Sequence, residues 1–153
     1  MQMSTEDKRD MTSCDTNILL HAYNRQSDHH ESAMIFLNGL AGNRNFAICE
    51  LVLIELYVLL RNPAVIKKPL SAEKAVIVCQ RYRENHNWRL IDYPGTLMTE
   101  IWERASHPEE GRRNIFDTRL ALTLRYHGVT DFATCNVKHF HNYDFNQVWN
   151  PLQ

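Results

Sequence analysis

The four cysteines, Cys14, Cys49, Cys79 and Cys135, form no CxxC pair and no zinc spacing. That excludes a cysteine-based zinc site and a disulfide-stapled scaffold. Also missing is any apolar run of roughly eighteen or more residues, so no spanning helix is expected. Neither sign of charge dominates: 17 Lys and Arg face 18 Asp and Glu, for a net charge of −1. Without a global basic field the chain does not read as a dedicated DNA-binding module, although an enzyme can touch RNA through a local patch. No Pro/Gly-rich linker, internal repeat or low-complexity tract divides it. Residues 1–10 are polar and have no apolar h-region, so they read as a disordered leader and not a signal peptide. Met3 and Met11 are alternative starts. With no export signal, free thiols in a reducing cytoplasm are expected. What is present, 153 residues at 44% hydrophobic and 23% charged, suits one globular domain over residues 11–153.

The rest of the chain is organised around Ser13-Cys14-Asp15-Thr16-Asn17-Ile18-Leu19-Leu20. Residues 11–15 read as a strand ending on a carboxylate, and residues 17–25 as a helix. Asp is a favoured helix N-cap, so Asp15 has a plain structural role open to it. In a parallel α/β sheet, however, ligands bind beyond the carboxyl ends of the strands, and Asp15 is placed there. A second helix opens at Ser27-Asp28, with Ala33, Phe36, Leu37 and Leu40 on one face. His21, His29 and His30 lie in or near these two helices and read as solvated or loosely packed. Residues 46–49 form a short apolar strand. Residues 51–60 follow as a helix apolar nearly all round, which predicts burial. Glu55 interrupts it. An ionised carboxylate in a dry core needs a cation or a metal, so Glu55 reads as either a site acid or half of a buried ion pair.

Residues 62–70 read as a loop, and a helix from Ser71 follows with Ala72, Ala75, Val76, Cys79 and Tyr82 on one face. Residues 88–91 are the next strand. Pro94 is placed for a helix start, and Leu97, Met98, Ile101, Trp102 and Ala105 continue the helical period. After a charged loop carrying Arg112 and Arg113, Asp117 falls in the first turn of a helix closed by Gly128. Helix N-termini favour carboxylates, so Asp117 also has a structural reading. Residues 131–134 form a strand handing over to Asn136, and Val148-Trp149 can add an edge strand. Strands alternating with helices predict a mostly parallel sheet covered on both faces. On that layout Asp15, Glu55, Asp117 and Asn136 reach one end of the sheet. Such an oxygen-rich set suits Mg2+ or Mn2+, not zinc.

At these residues the chain resembles PIN-domain proteins, and more closely VapC-type toxin ribonucleases. The matching pieces are Asp15-Thr16-Asn17-Ile18-Leu19, Leu53-Ile54-Glu55-Leu56, Ile115-Phe116-Asp117-Thr118-Arg119-Leu120-Ala121 and residues 128–140, in the family's order and spacing. The resemblance implies a PIN-like fold, a three-layer α/β/α sandwich, over about residues 11–150 and a Mg2+- or Mn2+-dependent endoribonuclease. Asp15, Glu55 and Asp117 match the three family acids, and Asn136 stands where many relatives carry a fourth. One metal held mainly by Asp15 and Asp117 is implied. Glu55 or Asp117 would orient or deprotonate a water, and Thr16 and Thr134 would support the carboxylates. Arg112, Arg113 and Lys138 are candidates for RNA phosphates. Strand one departs from the pattern in carrying Thr12 and Ser13 where relatives tend to have Leu or Val.

Similarity to the toxins further implies a homodimer, a small antitoxin partner and structured RNA such as tRNA as substrate. The competing reading is a degenerate PIN domain that binds RNA or a protein partner without cleaving. An aspartate-nucleophile phosphatase needs a second Asp two residues after the first, where this chain has Asn17. Finally, Cys14, Cys49 and Cys135 sit at strand ends. If their strands are neighbours, the three are expected to line up across the sheet, as packed apolar thiols or, alternatively, as an oxidisable pair.

Overall fold

The computed structural model describes residues 10–153; of the leader expected over residues 1–10, residues 1–9 lie outside it. Five short strands carry the architecture: β1 (Met11–Cys14), β2 (Phe46–Cys49), β3 (Arg89–Ile91), β4 (Val129–Ala133) and β5 (Gln147–Trp149). All pair in parallel, in the order β3-β2-β1-β4-β5. Helices α1 (Thr16–Tyr23), α2 (His30–Leu40), α3 (Glu50–Leu60), α4 (Ala72–Arg83), α5 (Met98–Ala105) and α6 (Asn114–Tyr126) cover the sheet. The result is the expected three-layer α/β/α sandwich. Parallel strands buried on both faces need apolar residues at every position, which is what β2 supplies.

β1 sits at the centre and is the least apolar strand. Ser13 is nevertheless fully buried, because its hydroxyl donates to the Ala47 carbonyl at 2.7 Å on the neighbouring strand. A buried hydroxyl with a partner costs little. β1 and β4 end at the same level and β2 one residue beyond, so the loops after all three strands open on one edge. That edge carries Asp15.

Local signals set most helix ends. The Ser71 side chain accepts from the Lys74 N–H and starts α4. Gly128, at φ +87°, follows α6 in the left-handed conformation that glycine tolerates. α2 begins at His30 rather than at Ser27-Asp28, because residues 24–29 spend their hydrogen bonds on turns. Before α5 the chain makes a single 3-10 turn, Gly95–Leu97, after Pro94.

Two sequence expectations are overturned. α3 is not buried all round: Ile54 and Val58 are 60% and 56% exposed, and Glu55 is exposed with them. Only Val52, Leu53, Leu56 and Leu60 face the core. Mean apolarity therefore overstated burial, and Glu55 neither sits in a dry core nor forms an ion pair among the described residues. The cysteines also fail to line up. Ser13 pairs with Ala47 and Cys14 with Ala133, so Cys14 lies beside Ile48 and Ala133. Cys49 and Cys135 come one and two residues further along. One residue of offset turns a side chain to the opposite face of the sheet. Cys14 and Cys49 are fully buried free thiols, and burial pushes Cys14 far up and Cys49 up to about 11.

Candidate active site

Asp15 follows β1 directly and is the N-cap of α1. Its backbone N–H donates to the Ala133 carbonyl on β4, which fixes the turn. Its carboxylate is 7% exposed and both oxygens are held: Oδ1 accepts the Thr16 N–H at 2.8 Å, and Oδ2 accepts the Thr134 hydroxyl at 2.7 Å. Asp15 is thus a helix cap and a buried site acid at once. Thr16 also turns its hydroxyl towards α3, reaching the Val52 carbonyl at 3.2 Å and Glu55 Oε2 at 3.1 Å. Glu55 comes to the same edge from one turn further along α3.

Asp117 enters from the first turn of α6, half-buried, with His139 Nδ1 at 3.2 Å from its Oδ2. Asp15 senses both other acids. Burial pushes its carboxyl up to about 6, against the lowering effect of the Thr134 and Thr16 hydrogen bonds; Glu55 and then Asp117 add to the rise by repulsion. Burial also raises Asp117, opposed by the charge and hydrogen bond of His139. Three carboxylates from three separate elements therefore share one field, and among the described residues neither Asp15 nor Glu55 has an Arg or Lys partner.

The other residues expected at this edge are placed differently. The Asn136 backbone N–H donates to Thr134 Oγ1 at 3.0 Å, but its side chain is exposed and makes no hydrogen bond to the described residues. Arg112, Arg113 and Lys138 are exposed, the arginines before Asp117 and the lysine beside His139. Three contacts were not anticipated from the sequence. His139 reaches Asp117 from the 3-10 turn Val137–Phe140. Asn17 Oδ1 accepts the Cys135 N–H at 3.2 Å and clamps the loop after β4. Buried Tyr143 shares a 2.7 Å hydrogen bond with Thr118, beside Asp117. For Asn17 a signal existed, since a polar side chain two residues after a strand-end acid can bond the adjacent loop. His139 and Tyr143 carried none.

The donor set fits a hard divalent cation. Among the described residues no three His, Cys, Asp or Glu side chains form a ready-made cage. Mg2+, however, is commonly held by one or two carboxylates, its remaining positions filled by water and substrate oxygens. Clustered carboxylates without a cationic partner are what such an ion neutralises. A surface cavity of about 420 Å3, lined by Tyr23, Arg25, His30, Met34, Arg81 and Tyr82 among others, includes none of these acids.

The comparisons with known proteins agree with this fold. The PIN-domain family profile matches residues 13–146. Ribonuclease VapC24 of Mycobacterium tuberculosis, in each of two strains, is 49% identical over 142 residues, covering 93% of this chain and 97% of the relative. In fold the chain is similar to M. tuberculosis VapC20, described as a Sarcin-Ricin loop cleaving toxin. That likeness has a TM-score of 0.64 at 15% identity over 84% of this chain and 92% of that one. It is also similar to FitAcB of Neisseria gonorrhoeae, with a TM-score of 0.61 at 20% identity over 92% and 98%. A FitAB structure bound to a DNA fragment gives 0.63 at 18% identity over 94% and 96%. At those identities the structures speak for the fold alone. The profile spanning β1 to the threshold of β5, together with a relative half identical over nearly its whole length, places this chain in the PIN-domain family beside the VapC-type ribonucleases.

Proposed function

We propose that the protein is a Mg2+- or Mn2+-dependent endoribonuclease, the toxin of a type II toxin–antitoxin pair, acting in the cytoplasm on structured RNA such as tRNA. The observation that carries this reading is the convergence of Asp15, Glu55 and Asp117 on one edge of the sheet, with Asp15 buried and short of positive charge. Asp15 and Asp117 would hold the ion. When bound, it offsets phosphodiester charge and lowers the pKa of a bound water. The residues supply the rest. Thr134 and Thr16 fix both oxygens of Asp15, so the carboxylate needs no reorganisation when RNA arrives. Glu55, exposed yet anchored by Thr16, orients an attacking water and takes its proton. Arg112, Arg113 and Lys138 meet the RNA backbone. Asn136 leaves the site one negative charge short of a four-acid set, which suits a single ion.

A homodimer and a small antitoxin complete the reading. Ile54 and Val76 share a groove with Leu53, Tyr57 and Cys79, and Val58 and Ile77 extend the exposed aliphatic surface of α3 and α4. We assign this face to a second copy of the chain. The deciding experiment for activity incubates a mixed tRNA pool with the protein in Mg2+ or in EDTA. Cleavage that requires the ion and falls about 10²-fold or more in Asp15→Asn and Asp117→Asn supports the proposal. RNA binding with no cleavage by the wild type replaces it with the non-cleaving PIN reading.

A further inference from the structure

Beside Asp117, α6 carries an aromatic ring and a guanidinium group, Phe116 and Arg119, that the proposed chemistry does not use. Phe116 is 55% exposed although it adjoins an acid of the site. The Arg113 guanidinium carbon stands 5.6 Å from the centroid of its ring, and that of Arg119 stands 5.9 Å from it. Arg119 lies equally far, 5.9 Å, from the ring of Tyr93, in the loop after β3. Residues 113, 116 and 119 recur every third position, so they share one face of the helix. Arg119 makes no ion pair among the described residues, and its Nε is the one buried side-chain nitrogen or oxygen there without a hydrogen-bond partner. An open aromatic ring flanked by unneutralised guanidinium groups adds little to the stability of a surface helix.

We propose that Phe116, flanked by Arg113 and Arg119, is a stacking platform for one unpaired nucleotide of the RNA near the scissile phosphate, and so adds affinity and a modest base preference at that position. This deepens the nuclease reading and rests on it. Unpaired bases are read by stacking on aromatic rings and guanidinium planes. Stacking is worth roughly 5- to 150-fold in affinity per base, converted at tenfold per 1.4 kcal/mol. Two further features favour RNA over an apolar protein partner here. Arg112, Arg113 and Arg119 place three cations within eight residues of sequence, matching a polyanion. Phe116 and Asp117 both lie in the first turn of α6, and Tyr93, which shares Arg119 with the ring, follows β3 on the carboxyl edge of the sheet, so a base on the ring lies on the same edge as the acids. Arg113 would meet the phosphate of the stacked nucleotide, and Arg119, which makes no ion pair among the described residues, would flank its base from the other side of the ring.

The test compares the full-length chain with Phe116→Ala, Phe116→Leu and Phe116→Trp variants, each first shown to melt like the wild type. One arm cleaves a library of stem-loop RNAs with randomised loop sequence in Mg2+ and maps the cut sites. The other titrates a single-stranded 12-mer RNA containing 2-aminopurine into the same variants carrying Asp15→Asn, so that binding is read without cleavage. The expected result for Phe116→Ala is a KM and binding constant weakened about tenfold or more, kcat nearly unchanged and lost preference at one position flanking the cut. Phe116→Trp restores both readouts and Phe116→Leu restores neither. Equal KM and an equal cut-site profile in wild type and Phe116→Ala overturn the platform, as does full rescue by Leu, which marks ordinary apolar packing. A wild type that binds RNA without cutting it overturns the nuclease reading, and the binding arm alone then decides the platform. A wild type that binds no RNA removes both.

Discussion

At the residue scale Asp15 is held by two hydrogen bonds in a buried position and repelled by two acids. Its folded pKa of about 6 lies above the ordinary 3.8, so the folded state binds this proton more tightly than the unfolded chain does. The resulting stabilisation is complete below about pH 4 and is lost as pH rises through about 6. That difference corresponds to about 3 kcal/mol in order of magnitude. Asp15→Asn, which cannot titrate, should therefore become the more stable protein as pH rises in EDTA. Urea unfolding of both proteins from pH 4.5 to 7.5 measures the gap, and a gap that stays flat removes the argument. At pH 7, Mg2+ should raise the melting temperature of the wild type and not that of Asp15→Asn. Glu55 behaves differently because it is exposed. Glu55→Gln should change stability by no more than about 0.5 kcal/mol yet lower cleavage about 10²-fold. A large loss of stability with cleavage retained would make Glu55 structural.

At the scale of elements, the N-terminal half of α6 is tied to the segment after β4 by the buried Thr118–Tyr143 hydrogen bond. Tyr143→Phe strands the Thr118 hydroxyl and should cost about 1–3 kcal/mol. Adding Thr118→Val removes the stranded group, so the double variant should recover part of that loss in urea unfolding. An additive double variant would show that the two residues are not coupled. The register of β1 between β2 and β4 bears on the thiols. Because Cys14 lies beside Ile48 and Ala133 rather than another cysteine, a diamide and dithiothreitol cycle should leave RNA cleavage unchanged. Mass spectrometry should find no disulfide, and a reversible loss of activity absent in Cys14→Ser would contradict this register argument.

For the whole molecule, the exposed apolar surface of α3 and α4 has a consequence for assembly. Soluble monomers seldom leave contiguous apolar patches uncovered. Sedimentation at micromolar concentration should therefore give twice the 18.0 kDa chain mass, and Ile54→Glu with Val58→Glu should halve it without unfolding. A wild type sedimenting as a monomer would leave the face to another partner. No described helix is long and apolar enough to cross a membrane.

The alternation of strand and helix, the three acids as candidates and the Ser71 and Gly128 helix ends were legible in the sequence. Each rests on local chemistry: side-chain period, turn residues, or a carboxylate at the end of a short apolar run. Only the tertiary structure decided which face of α3 is covered. Composition gives how apolar a helix is, while burial depends on what packs against it, and so Ile54, Glu55 and Val58 stand in the open. The cysteine offset likewise follows from strand register, which pairing across the sheet sets at a resolution of one residue. The approach of His139 to Asp117 and of Asn17 to the loop after β4 joins residues 22 and 118 apart in sequence. No periodicity encodes such contacts, because they depend on how the loops close once the sheet has formed.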